Sequence, residues 1–340
     1  MIAVSVVIPV FNAGKHLQKS MESLLHQTLP NCEFIFVNDG STDDSKPIIE
    51  KYQQNDDRIR LFNQENQGVS VARNKGIELA QGEFIGFVDA DDFIQSTMYE
   101  VLYALAKKEH VGIVTSQFYK EFSGITTTTK SKFPVDVALD KAYINENILP
   151  QFIQDSSLNS ACTKLYESTL IKNIKFPVGV PLGEDGIFNL KAFDAAQSVL
   201  FTHFCGYHYV EVDGSATRNA SGKDYFKRAL EVFAFDYQPL VSVELDGELV
   251  TQWKSLRLLE NVVSYIHIYL QPDPSTDFLD RVEYVKKMIH NETVQKAIQK
   301  YYTQISLGKS KHQRFVLKCI KNKSLLQLIA VNLYFQIKKK

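Results

Sequence analysis

Aspartates recur in this sequence just where short β-rich runs end. Phe84-Ile85-Gly86-Phe87-Val88 must be buried, and Asp89-Ala90-Asp91-Asp92 follows at once. Three carboxylates crowded at the rim of a buried strand repel one another unless a cation holds them together. Hard oxygen ligands suit Mn²⁺ or Mg²⁺, which take one or two protein carboxylates and complete their shell with substrate phosphates. An ion held there would neutralise and orient a departing diphosphate. The plainer reading is a solvated acidic cap for the helix that follows. Three more polar loops favour the metal reading: Phe11-Asn12-Ala13-Gly14, Asn38-Asp39-Gly40-Ser41-Thr42-Asp43-Asp44, and the stretch from Asn66 to Asn74.

Such loops act together only if a frame brings them to one edge. Val4–Val10 reads as a strand, followed by a helical stretch with Leu17, Met21, Leu24 and Leu25 on one face. Strands at 34–37 and 59–62 alternate with helices at 45–54 (Ile48, Ile49 and Tyr52 inward) and 70–81, the latter stopped by Gly82. A strand at 84–88, a helix at 97–108 and a strand at 112–115 complete the series. This alternation predicts an α/β fold with a mostly parallel sheet covered on both faces. Ligands of such sheets bind beyond the carboxyl ends of the strands. The Thr-rich run at 126–129 reads as a surface hairpin or loop, and from about Lys223 the pattern is almost wholly helical. The expected division is a domain at 1–220 and a helical region at 221–340 with a basic amphipathic tail.

The runs Val6-Val7-Ile8-Pro9-Val10-Phe11-Asn12, Val37-Asn38-Asp39-Gly40-Ser41-Thr42-Asp43, Asn66 to Asn74 and Phe87-Val88-Asp89-Ala90-Asp91-Asp92 resemble the family 2 inverting glycosyltransferases of the GT-A fold. The resemblance implies a UDP-sugar donor, a divalent metal and inversion at the anomeric carbon. By similarity Pro9 and Phe11 line the nucleotide pocket, and Asp39 accepts a hydrogen bond from the base. Arg73 lies near the base or the phosphates, Asp89 faces the ribose or metal, and Asp91 binds the metal. The resemblance reaches more weakly into Ala161-Cys162-Thr163-Lys164-Leu165-Tyr166, where Thr163 replaces the asparagine often found before the lysine. In Leu182-Gly183-Glu184-Asp185-Gly186-Ile187-Phe188, Asp185 matches the family's catalytic base; an acceptor hydroxyl needs one to become a nucleophile. Helix capping is the bland alternative there.

The 340 residues are 44% hydrophobic and 23% charged, which is ordinary for a globular protein. Four scattered cysteines with no zinc-ligand spacing read as reduced thiols, and Met1 to Pro9 lacks the basic start of a signal peptide. A cytoplasmic protein is expected. The net charge is −1, yet no acidic residue follows Glu292 while eleven lysines and arginines do. That basic tail suggests a polyanionic partner. Leu325 to Ile337 is too short to span a bilayer. It fits an interfacial helix on the anionic inner face of the membrane, a homodimer contact, or a helix packed on the catalytic domain. Nucleic acid is not an expected partner, because the acidic body repels it.

Three classes remain on this reading. The first is a glycosyltransferase acting on a glycan or lipid-linked acceptor in surface polysaccharide synthesis. A phosphoryl or nucleotidyl transferase lacks support, since the sequence has no GxxxxGK[ST] loop. A non-catalytic subunit binding a nucleotide sugar would have no need of Asp39, Asp91 and Asp185 together.

Overall fold

The computed structural model describes residues 1–122, 124–180, 183–210, 224–271 and 276–338, with side chains as far as 333. It divides into two compact units: Met1–Phe152, Ser156–Ser215 and Leu240–Ser242 form the first, and the remainder the second. The expected limit at 220 lies outside the described residues.

The first unit begins with the expected alternation: β1 (Val4–Val10), α1 (Gly14–Leu25), β2 (Cys32–Asp39), α2 (Ser45–Gln53), β3 (Ile59–Gln64), α3 (Val69–Leu79) and β4 (Phe84–Phe87). β1 and β2 are almost wholly buried because helices cover both faces of the sheet, and Leu17, Met21 and Leu24 turn inward from α1. On α2 only Ile49 of the three expected residues is fully buried; Ile48 and Tyr52 sit at the margin. After β5 (Phe93–Ile94) come α4 (Met98–Glu109), β6 (Ile113–Phe122), β7 (Ile125–Thr128), β8 (Ala138–Asp140), β9 (Lys164–Glu167), α5 (Glu184–Ala195) and β10 (Ser198–Val210). The Thr-rich run is a hairpin strand, β7 pairing antiparallel with β6.

The sheet order is β3-β2-β1-β4-β9-β6-β10-β5, with β7 on β6 and β8 on β10. β3, β2, β1 and β4 are parallel, in a register that sets Val10 beside Asn38 and Asp39 beside Gln64. Their carboxyl ends, and so their four polar loops, therefore share one edge. β9 is antiparallel to both β4 and β6. Its first residue, Lys164, thus starts at the edge where β4 ends, and the segment before it enters the same region.

Close packing fixes α3 on this sheet. A Cβ on Gly76 would stand 2.1 Å from Cγ1 of Val7, so only glycine lets the helix lie so near β1. The buried face of α3 is Ala72, Arg73, Gly76 and Ile77, which carries Arg73 to the carboxyl edge. Below it Phe87 meets Tyr166, Phe176 and Phe188 edge-on, and Phe176 stacks on Phe188 at 3.9 Å. Each such buried ring contributes about 1.5–3 kcal/mol.

The second unit is helical: α6 (Tyr225–Ala234), α7 (Gly247–Tyr269), α8 (Phe278–His290), α9 (Glu292–Ser306), α10 (Lys311–Lys321) and α11 (Leu325–Lys338). Leu259, Val262, Met288, Ile298, Ile320 and Leu328 are among its core residues. Trp253 is only half-buried. None of the described helices is long and apolar enough to cross a membrane. The four cysteines form no disulfide.

Candidate active site

The loops after β1 and β2 are stitched together by their own side chains. Asn12 Oδ1 accepts from the Thr42 N–H at 2.8 Å, and Ser41 Oγ from the Asn12 N–H at 3.0 Å. Asp43 accepts from the Gly14 and Ser45 N–H groups, and these bonds hold its carboxyl below the ordinary value despite the opposing effect of burial. Pro9, beside Val37 in the sheet, and the half-exposed Phe11 lie at the start of this edge.

Asp39, buried at the end of β2, organises the next loop. Its Oδ1 accepts from Gln64 Nε2 at 2.8 Å and the Gln67 N–H at 2.9 Å, and its Oδ2 from the Gly68 N–H at 2.8 Å. That loop starts α3 and so presents Arg73.

Arg73 is the centre of the site. Its guanidinium donates from Nη2 to Asp89 Oδ1 at 2.8 Å and from Nη1 to Asp185 Oδ1 at 2.5 Å. Glu184 stands 3.7 Å away, and the ring of Phe176 lies under the guanidinium. Burial opposes the charge of Arg73, but Asp185 and Asp89 outweigh it and hold the guanidinium firmly protonated. Among the described residues its buried Nε has no hydrogen-bond partner.

The three clustered aspartates separate in role. Asp89 anchors on Arg73, and its N–H donates to the Tyr207 hydroxyl at 3.2 Å. Asp92 turns into the protein, where its carboxylate accepts from the Tyr207 hydroxyl at 2.5 Å and the Val210 N–H at 2.8 Å. Burial and the charge of Asp89 raise its carboxyl to about 8. Asp91 is left at the loop, its carboxyl raised by burial and then by Asp89. Among the described residues no three His, Cys, Asp or Glu side chains converge as a metal cage. Two repelling carboxylates, one of them not hydrogen-bonded inward, still fit an ion that takes its other ligands from phosphate. The neighbouring His208 is structural: it is sandwiched between Phe93 and Tyr119 and bonded to Glu121 at 2.8 Å.

Asp185 lies in the first turn of α5, after Gly183 at φ 77°. Its second oxygen accepts from the Ala161 N–H at 3.3 Å. Burial pushes its carboxyl up to about 6, against the lowering effect of Arg73. Asp89, Arg73 and Asp185 thus meet directly, while Asp39 is linked to them through α3, and Pro9 and Phe11 make no contact with that triad among the bonds described. Sequence reasoning did not identify Tyr207 as the support of the aspartate loop, 118 positions from Asp89, or Lys164 and Asn189 as holding the loop beside Asp185. For Lys164 the available signal was its place in the segment 161–166 to which the resemblance extends.

Residues 5–171, just under half of the chain, match the family described as glycosyl transferase family 2. Asp185 lies beyond the matched segment. The chain is 36% identical over 216 residues to the uncharacterized glycosyltransferase EpsJ of Bacillus subtilis, covering 63% of this chain and 62% of EpsJ. It is 33% identical over 220 residues to the glycosyltransferase GlyA of Streptococcus pneumoniae, covering 63% of this chain and 31% of GlyA. It therefore spans less than two thirds of either relative. Among solved structures it is similar to residues 1–349 of TarS from S. aureus in complex with UDP-GlcNAc, with a TM-score of 0.64 at 20% identity over 99% of this chain and 92% of that one. The fold is that of the GT-A glycosyltransferases.

Proposed function

We propose that the protein transfers a sugar, with inversion, from a UDP-sugar to a hydroxyl of a glycan or lipid-linked acceptor in cell-surface polysaccharide synthesis. The observation that carries this reading is Arg73 holding Asp89 and Asp185 on one guanidinium, at 2.8 and 2.5 Å. It joins the aspartate loop to a carboxylate whose proton affinity suits a base near neutral pH. The names of EpsJ and GlyA support the activity, and the UDP-GlcNAc complex of TarS supports the choice of nucleotide.

Pro9, Phe11 and Asp39 form the nucleotide end of the site, with Asp39 beside the base and Asp89 toward the ribose. Asp91, with Asp89 next to it, would hold Mn²⁺ or Mg²⁺, which when bound supplies Lewis-acid neutralisation of the diphosphate. Asp185 takes the acceptor proton as the acceptor oxygen bonds to the anomeric carbon and the carbon–oxygen bond to the diphosphate breaks. Arg73, with both terminal nitrogens engaged, keeps Asp185 ionised until that moment.

The helical unit would place the enzyme at the inner face of the membrane. Lys311, Arg314, Phe315 and Lys318 are exposed at one-turn spacing on α10, and Leu326 is 81% exposed on α11. Basic residues with apolar neighbours suit an anionic lipid surface. Leu328 and Asn332, by contrast, anchor α11 in its own unit, Asn332 donating to the Leu270 carbonyl at 3.0 Å. The lysines at 338–340 lie beyond the described side chains.

Incubating the protein with a panel of UDP-, GDP- and dTDP-sugars, in Mn²⁺ and again in EDTA, tests the reading. Metal-dependent release of UDP from one of them is expected. Absence of nucleotide-sugar turnover and binding across the panel would sink it.

A further inference from the structure

Lys164 is buried at the start of β9, and the reaction proposed above gives it no task. Lysine is almost never fully buried unless its ammonium is satisfied. Here it donates to two backbone carbonyls, Leu158 at 3.0 Å and Ser160 at 2.5 Å. Burial lowers its pKa to about 7, and Asp185 opposes that shift.

The carbonyl between those two is held from the other side. Asn189 Nδ2 donates to the Asn159 carbonyl at 2.7 Å and to the Asp185 carbonyl at 2.9 Å, while its Oδ1 accepts from the Tyr166 hydroxyl at 2.6 Å. Three successive carbonyls, 158 to 160, are thus clamped. The next residue, Ala161, points its N–H at Asp185 Oδ2. The loop also lies directly on the first turn of α5, since a Cβ on Gly186 would come within 2.8 Å of Asn159 Oδ1. Arg73 fixes only one oxygen of Asp185. One contact leaves the carboxylate plane free to rotate, and the Ala161 N–H supplies the second.

We propose that Lys164 and Asn189 are positioning residues for Asp185, holding the 158–161 loop so that the Ala161 N–H orients the carboxylate toward the acceptor. The proposal rests on Asp185 being the base. A buried lysine spent on loop carbonyls is then part of the catalytic geometry, acting through Ala161 without touching substrate.

The test compares Lys164→Met and Asn189→Ala, each alone and combined with Asp185→Asn, using the sugar nucleotide that the wild type turns over fastest. Each single variant should lose about 10-fold or more in kcat, with donor KM within about twofold. In the Asp185→Asn background neither should cost more than about twofold, because the group they orient is already gone. A crystal structure of either variant should show the Ala161 nitrogen beyond hydrogen-bond reach of Asp185. Undiminished kcat, an equal loss in the Asp185→Asn background, or an unchanged Ala161–Asp185 contact in the crystal would each overturn the proposal. If Lys164→Met does not fold, Asn189→Ala decides by the same criteria. Full turnover by Asp185→Asn alone would instead refute the base assignment, a separate failure that the crystal distance does not share.

Discussion

Arg73 and Asp185 are 112 positions apart in sequence, yet their side chains meet at 2.5 Å. The same guanidinium holds Asp89, so one cation on α3 ties the end of β4 to the start of α5. Gly76, pressed on Val7, sets the height of that cation above the sheet.

Removing the cation should therefore damage both stability and turnover. Arg73→Met leaves two carboxylates facing each other with no counter-charge. Breaking a buried pair costs about 3–5 kcal/mol; Asp89 is 36% exposed, so about 3 kcal/mol is expected. Arg73→Lys keeps the charge but cannot reach both partners, and should lose activity while losing less stability. Denaturant melts and turnover of both variants check this. Equal stability of Arg73→Met and wild type would show that the bridge contributes nothing.

Asp185 makes a pH prediction whose sign is fixed. Burial raises its carboxyl to about 6 against the pull of Arg73, and a base works only when ionised. kcat/KM should be full above about pH 7 and fall as pH drops through about 6. Asp185→Asn should lower kcat by roughly 100-fold and remove that acid limb, with donor affinity nearly unchanged. An acid limb that persists in the variant belongs to another group.

Asp91→Ala addresses the metal. The variant should lose transfer and bind UDP more weakly in Mn²⁺, with little change in EDTA. Calorimetry in the two buffers reads this without any turnover. UDP binding whose metal dependence matches the wild type removes Asp91 from the ligand set.

The membrane reading is best tested on exposed positions, because α10 also buries Val316, Leu317 and Ile320 and a truncation there would open the core. Neutralising Lys311, Arg314 and Lys318 to glutamine should cost about 3 kcal/mol of binding to vesicles carrying anionic phospholipid, roughly 100-fold. Raising the salt should weaken the wild type in the same direction. Co-sedimentation measures both, and wild-type protein that ignores anionic vesicles at low salt contradicts the reading.

The parallel half of the sheet was legible in the sequence because β1 to β4 are short apolar runs separated by amphipathic helices, a purely local pattern. So were the loops after them, since Asp39 and Asp89 follow buried strands immediately. The two-residue β5 was not, nor the insertion of β9 between β4 and β6; pairing across about 50 to 115 residues leaves no periodicity. For the same reason nothing local tied Arg73 to Asp185, or Tyr207 to Asp92 across 115 positions. Asp92, one of three carboxylates within four residues, is set apart by β10, whose Tyr207 and Val210 bind it.

The central claim is that Asp185 activates an acceptor for direct, inverting displacement of UDP from the sugar. With water as acceptor, proton NMR can record the anomer first released from an α-linked UDP-sugar, before mutarotation mixes the two. The β-anomer should appear first, and Asp185→Asn should slow its formation by roughly 100-fold. Initial release of the α-anomer, or β-anomer formed at an undiminished rate by Asp185→Asn, would contradict it.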